Sequence, residues 1–207
     1  MSAPRQSNTI HSNTILVSTR KGLFVLERVD GDWRVTRHVF QGDNVAITLA
    51  DPRDGHWYAA LDLGHFGTKL QRSTDRGASW TEIAVPAYAA DDEVVMGDGK
   101  PAIPATLQKI WSLEAGGAAE PGRLWAGTIP GGLFRSDDHG ESWQMVRALW
   151  DMPQRHQWFG GGYDYPGIHS LCVDPRDPRC IRVAISTGGV WRSDDSGESW
   201  TLSASGM

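Results

Sequence analysis

The side chains best suited to chemistry crowd one stretch of the chain: Arg155, His156, Trp158, Tyr163, Asp164, Tyr165 and His169, interrupted by Gly160-Gly161-Gly162. Aromatic rings beside Asp, His and Arg in a glycine-rich segment suit a sugar-like ligand, whose apolar ring faces stack on aromatics while its hydroxyls require charged or amide partners. Arg20 and His65, from other segments, join these residues as candidate substrate contacts. The same aromatics could instead fold back to cap a channel or pack on a neighbouring element, and the residues leave both readings open. His65, His156 and His169 with Asp62 or Asp164 would make a competent imidazole and carboxylate ligand set. Nothing in their spacing specifies a metal, so neither a metal nor a cofactor is assigned. A second long segment holds Asp91-Asp92-Glu93 and Gly97-Asp98-Gly99-Lys100; it only half meets the alternating oxygen pattern of a calcium loop and reads as a solvated insertion.

The elements that must position these residues announce themselves by repetition. Ser73, Asp75, Gly77, Ser79 and Trp80 recur as Ser136, Asp138, Gly140, Ser142 and Trp143, and again as Ser193, Asp195, Gly197, Ser199 and Trp200, with the tryptophans 63 and 57 residues apart. The pattern S-x-D-x-G-x-S-W reads as a tight hairpin turn. Its Asp accepts backbone N–H bonds, its Gly supplies a positive φ, and its Ser hydroxyls close local bonds. The Trp then starts the return strand and fills the space beside the turn. A carboxylate tied into its own turn is structural, so the Asp residues of the boxes are not assigned to catalysis.

Similarity extends upstream of each turn. Ile110-Trp111-Ser112-Leu113 aligns with Ile168-His169-Ser170-Leu171, and more loosely with Val45-Ala46-Ile47-Thr48. Asp51-Pro52-Arg53-Asp54 and Asp174-Pro175-Arg176-Asp177 mark the next turn, and two further strands follow in each copy. Each repeat is a four-stranded antiparallel meander, at 45–83, 109–146 and 167–203. Residues 13–40 carry an incomplete copy lacking its first strand, after a flexible N-terminal segment, 1–12. The fold class expected is all-β: a β-propeller with about three and three-quarter blades, part of a six- or seven-bladed ring whose missing strand comes from beyond residue 207. In such a meander the S-x-D-x-G turns and the Asp-Pro-Arg-Asp turns share one end. The loops at 19–21, 62–66 and 129–131 and the long connections 84–108 and 148–167 share the other, which is where ligand chemistry belongs.

The three turns resemble the BNR or Asp-box repeats of sialidase-like propellers, a group that includes glycosidases, sortilin-type receptors and photosystem II assembly factors. For a sialidase the resemblance implies an arginine triad, a Tyr nucleophile assisted by a Glu, and an Asp acid/base, with the Asp boxes at the periphery. Arg20, in Ser18-Thr19-Arg20-Lys21-Gly22, follows an early strand as the first of those arginines does. The later arginines would fall in blades absent from this chain, which alone would be inactive. The resemblance thus implies a glycoside hydrolase or glycan-binding propeller, with Tyr163 and Asp164 as catalytic candidates; the alternative is a non-catalytic scaffold for protein binding or assembly.

Composition narrows the partners. With 20 Lys+Arg against 25 Asp+Glu the net charge is −5, which offers no basic field for nucleic acid. No apolar run reaches the ~18 residues of a spanning helix, and the start is polar, so no membrane partner and a cytoplasmic location are expected. The remaining candidates are a carbohydrate or a protein at the rim. Two cysteines, Cys172 and Cys180, read as reduced thiols.

Overall fold

The computed structural model describes residues 13–95 and 101–203. The segment 1–12, expected to be flexible, and positions 97–100 of the acidic insertion lie outside the described residues. Four antiparallel sheets follow one another along the chain, each a simple meander. The first holds three strands, β1 (Thr14–Thr19), β2 (Gly22–Val29) and β3 (Asp32–Val39). The second holds β4 (Val45–Ala50), β5 (Trp57–Asp62), β6 (Thr68–Ser73) and β7 (Thr81–Ile83). A small hairpin intervenes, β8 (Glu93–Val94) with β9 (Ile103–Pro104). The third sheet holds β10 (Lys109–Ala115), β11 (Leu124–Ile129), β12 (Leu133–Ser136) and β13 (Gln144–Met145). A one-turn helix, α1 (Arg147–Trp150), and a 3-10 turn (Pro153–Gln157) lead to the fourth. That sheet holds β14 (Ile168–Val173), β15 (Ile181–Ile185), β16 (Gly189–Ser193) and β17 (Thr201–Leu202).

The sheets stack face to face through their first strands, β4 packing on β1 and β10, and β10 on β14. Three cores fill the gaps. Leu23, Val25, Val45, Trp57 and Leu61 lie between the first two sheets, and Tyr58, Leu70, Ile83, Ile110 and Leu124 between the second and third. Trp125, Leu133, Ile168, Ile181, Val183, Ile185 and Trp191 lie between the third and fourth. Each such side chain removed from water contributes roughly 1.5–3 kcal/mol, which is what holds blade to blade. Being covered on both faces explains why β11 is buried at every position, whereas β1, at the end of the stack, alternates between half-buried and exposed. The outer face of the first sheet keeps Ile15, Val17, Trp33 and Val35 exposed. Among the described residues the first and fourth sheets do not pack on each other as successive sheets do.

The architecture is the expected all-β arc of propeller blades, three strands and then three four-stranded sheets. Two details differ from expectation. Trp80, Trp143 and Trp200 precede their strands instead of opening them; Trp143 Nε1–H donates to Ala84 O of the preceding sheet at 3.0 Å, and Trp200 Nε1–H to Gly197 O of its own turn at 3.0 Å. The long connections also carry structure of their own, β8–β9 and α1, whose Val94, Ala105 and Trp150 form a fourth, smaller core with Tyr88 and Tyr165. Register shifts fall at the same point in three first strands, leaving Ala46, Trp111 and His169 out of the ladder. This is the bulge that re-aims a side chain.

Candidate functional site

At one end of the strands the three Asp-box turns share one hydrogen-bond scheme. Ser73 Oγ–H donates to Asp75 Oδ1 at 2.7 Å and accepts the Gly77 N–H at 2.6 Å. Asp75 in turn accepts the Ser79 N–H at 2.9 Å and the Ser79 hydroxyl at 2.6 Å. The scheme returns about Asp138 and Asp195 within a few tenths of an ångström. Each box needs two consecutive positive φ values, 56° and 81° at Arg76 and Gly77, and 61° and 85° at His139 and Gly140. Hydrogen bonds from Ser199 and Ser193 hold the Asp195 carboxyl down at about 2, and the equivalent bonds depress Asp75. For Asp138 partial burial pushes the other way, and the Ser142 and Ser136 bonds outweigh it. These carboxylates are anions fixed inside their own turns, unsuited to giving or taking a proton near neutrality.

The same end carries the bonds that join blades. Asp51 is buried and accepts Arg53 Nε–H at 2.8 Å and Nη2–H at 2.5 Å. Arg53 also donates across to the next sheet, to Glu120 O at 2.6 Å and Arg123 O at 2.7 Å. Arginines of one blade reach the positive-φ residue of the next box: Arg37 Nη1–H to Arg76 O at 2.6 Å, and Arg72 Nη1–H to His139 O at 3.2 Å. Burial pushes the Glu114 carboxyl up, but Glu114 stands near Asp51 and Arg53, away from the loops where a ligand was expected.

At the opposite end the loop residues divide. Arg155, 8% exposed, sits 3.9 Å above the Trp150 ring and donates to Trp150 O at 2.5 Å and Glu93 O at 3.2 Å. Desolvation lowers its pKa. Trp158 is 2% exposed and packs near Trp191, and Tyr165 leans on the core around Trp150. These three fold back and build the loop. Tyr163, Asp164, His156 and His169 remain exposed. Tyr163 meets the Trp111 ring edge-on at 5.0 Å, and Trp111 meets His169 at 5.7 Å. Lys109 completes the group: its Nζ donates to Tyr163 Oη at 3.2 Å, lies 5.5 Å from the centre of that ring, and approaches Asp62 Oδ2 at 3.9 Å. His65 is exposed on the 3-10 turn Gly64–Phe66, and Arg20 is exposed on the β1–β2 turn. The structure thus gathers Asp62, Lys109, Trp111, Tyr163 and His169.

Lys109 and Trp111 were absent from the sequence candidates. The signal available was the bulge position that Trp111 shares with His169; for Lys109 there was none. The imidazole and carboxylate set weighed from sequence, around His65, His156 and His169, does not converge among the described residues. The group that does is Asp54, His56 and His139, at the other end, with one ligand atom from each within 4.8 Å of the others. Cys172 and Cys180 are free thiols. Among the described residues no helix is long and apolar enough to cross a membrane.

Repeated boxes closing the hairpins of stacked meanders define the class: this chain carries Asp-box turns on a β-propeller fold. The family model for the BNR/Asp-box repeat matches residues 134–145, the turn and return strand of the third sheet. In sequence the chain is similar to an oligoxyloglucan-reducing end-specific xyloglucanase of Emericella nidulans, 26% identical over 159 residues, covering 76% of this chain and 17% of that protein. It therefore spans about one sixth of the length of the curated relatives it matches. In structure it is similar to a GH74 enzyme from Niastella koreensis, with TM-score 0.61, 19% identity, and coverage of 93% of this chain and 28% of that one. It is also similar to YCF48 from Cyanidioschyzon merolae, with TM-score 0.56, 16% identity, and coverage of 93% and 53%. At these identities the structural likenesses speak for the fold.

Proposed function

We propose that the rim formed by Asp62, Lys109, Trp111, Tyr163 and His169 is a glycan-binding surface in a glycoside hydrolase-like propeller, with a neutral, glucan-type oligosaccharide as ligand. One observation carries the reading: two exposed or half-buried aromatic rings, Trp111 and Tyr163, stand edge-on beside a cation and a carboxylate that are within reach of one another. Sugar faces stack on such rings, and Lys109 and Asp62 supply a donor and an acceptor for hydroxyls. The likeness to a xyloglucanase favours a glucan backbone over a sialoside. Arg155 and Trp158 then serve the site by shaping its loop, and Asp164, next to Tyr163, is the residue assigned to proton transfer.

The test is calorimetric titration with xyloglucan oligosaccharides, and with a sialyl-lactose as contrast. The chain should bind the glucan series, and Trp111→Ala and Tyr163→Ala should each weaken binding about 10-fold, the loss of one stacked ring at roughly 1.4 kcal/mol. Asp164→Asn should keep binding and abolish any turnover the complete protein shows. No binding across the glucan series, or binding that survives Trp111→Ala, contradicts the reading.

A further inference from the structure

The geometry points to a divalent transition-metal site between the second and third blades, formed by Asp54, His56 and His139. Asp54 and His56 lie in the turn between β4 and β5, where Gly55, at φ 78°, reverses the chain so that Asp54 Oδ1 accepts the His56 N–H at 2.9 Å. That bond leaves Oδ2 to face the two imidazoles. His139 is the residue at φ 61° in the second Asp box, held by its own N–H to Gly122 O at 2.9 Å and by Arg72, which donates to its carbonyl at 3.2 Å. The three side chains are thus delivered by backbone that other bonds already fix.

Their functional atoms meet in an arrangement that protein groups alone leave unsatisfied. Asp54 Oδ2 lies 3.4 Å from His56 Nδ1 and 3.3 Å from His139 Nδ1. Both nitrogens are shut off from water, and neither has a hydrogen-bond partner. The rings approach to 5.0 Å between centroids at 58°. Buried polar atoms are ordinarily paired, so two orphan nitrogens facing one carboxylate oxygen ask for a missing partner. Around a tetrahedral zinc-like ion, with bonds of about 2.0–2.2 Å, neighbouring ligand atoms stand roughly 3.3–3.5 Å apart. The two Asp–His separations already have that value, and all three atoms lie within 4.8 Å. Two imidazoles and one carboxylate suit Zn²⁺, Co²⁺, Ni²⁺ or Cu²⁺, whereas Mg²⁺ and Ca²⁺ favour all-oxygen sets.

Three ligands leave one position for water. Because Asp54 and His56 belong to one blade and His139 to the next, the ion would clamp the Asp-box turn of one blade to the Asp-Pro-Arg-Asp turn of the other. The site is independent of the glycan rim, at the other end of the strands, and either proposal can fail alone.

The test uses the chelator-treated chain without a histidine tag. Co²⁺ should bind one per chain with the intense visible bands of a low-coordinate site, and Zn²⁺ should displace it. Zn²⁺ at 100 times its Kd should raise Tm by about 5–10 °C. His139→Asn, chosen because Asn accepts positive φ, and His56→Gln should each weaken binding at least 10-fold and remove the Tm shift, with circular dichroism unchanged. The pair His65→Asn/His156→Asn should bind as the unaltered chain does. Absence of Co²⁺ and Zn²⁺ binding at micromolar metal, or binding equally strong in a folded His139→Asn and a folded His56→Gln, overturns the proposal.

Discussion

Two turns with one sequence behave differently. Asp51-Pro52-Arg53-Asp54 and Asp174-Pro175-Arg176-Asp177 close the same hairpin in the second and fourth sheets, and each arginine forks onto its own aspartate, at 2.5–2.8 Å in the first and 2.6–2.9 Å in the second. Yet the Arg53 side chain is 10% exposed and the Arg176 side chain 88%. The first turn has another blade beside it, so Arg53 spends its remaining donors on the carbonyls of Glu120 and Arg123 and its aspartate is walled in. Among the described residues no further sheet stands beside the second. The local motif makes the turn; a neighbour converts it into a joint.

Removing each arginine tests that difference most severely. Arg53→Ala strands the buried Asp51 charge and removes the bonds to the carbonyls of Gly117, Glu120 and Arg123, and should cost about 3–5 kcal/mol, a drop in Tm on the order of 10 °C by calorimetry. Asp51 is held below the usual carboxylate range by its Arg53 bonds, against the opposing effect of burial. The Asp boxes should show the opposite pattern, because their bonds close within seven residues whatever stands beside them. Ser136→Ala and Ser193→Ala each leave a box glycine N–H without its acceptor, and should lower stability equally, by about 1–2 kcal/mol in urea titrations. A difference between them beyond error would mean that the boxes, too, depend on neighbours.

Acid titration sharpens the point further. A carboxyl lowered in the folded chain stabilises it above the unfolded value near 3.9 and loses that contribution as pH falls through its folded value, about 2 for Asp195. Tm should therefore fall steeply between about pH 4 and 2, and Asp195→Asn should flatten that limb. The smallest effect belongs to Arg176→Ala, which should leave Tm within error at neutral pH, since its ion pair is open to solvent.

The same contrast explains what the sequence could disclose. The Asp boxes were readable because the bonds among their Ser, Asp and Gly residues join positions at most four apart, and the strand meanders because alternation and turns are local. The blade-to-blade joints were not. Arg53 reaches Glu120 across 67 positions, and Lys109 reaches Tyr163 across 54, distances set by how sheets stack. Arg155 and Trp158 had the composition of a sugar site, but became loop scaffolding, Arg155 against β8 and α1 and Trp158 in the core beside Trp191 of β16. Asp54, His56 and His139 were invisible because only one of them, Asp54, falls on a position where the repeats agree.

One end of the strands joins the blades, and the proposal above gives the ligand to the other. Hydrogen–deuterium exchange with and without a saturating xyloglucan oligosaccharide tests it most directly. Added protection is expected in peptides covering 109–112 and 158–169, with the box turns at 73–79, 136–142 and 193–199 unchanged. Protection confined to those turns, or none anywhere despite saturation, would contradict it.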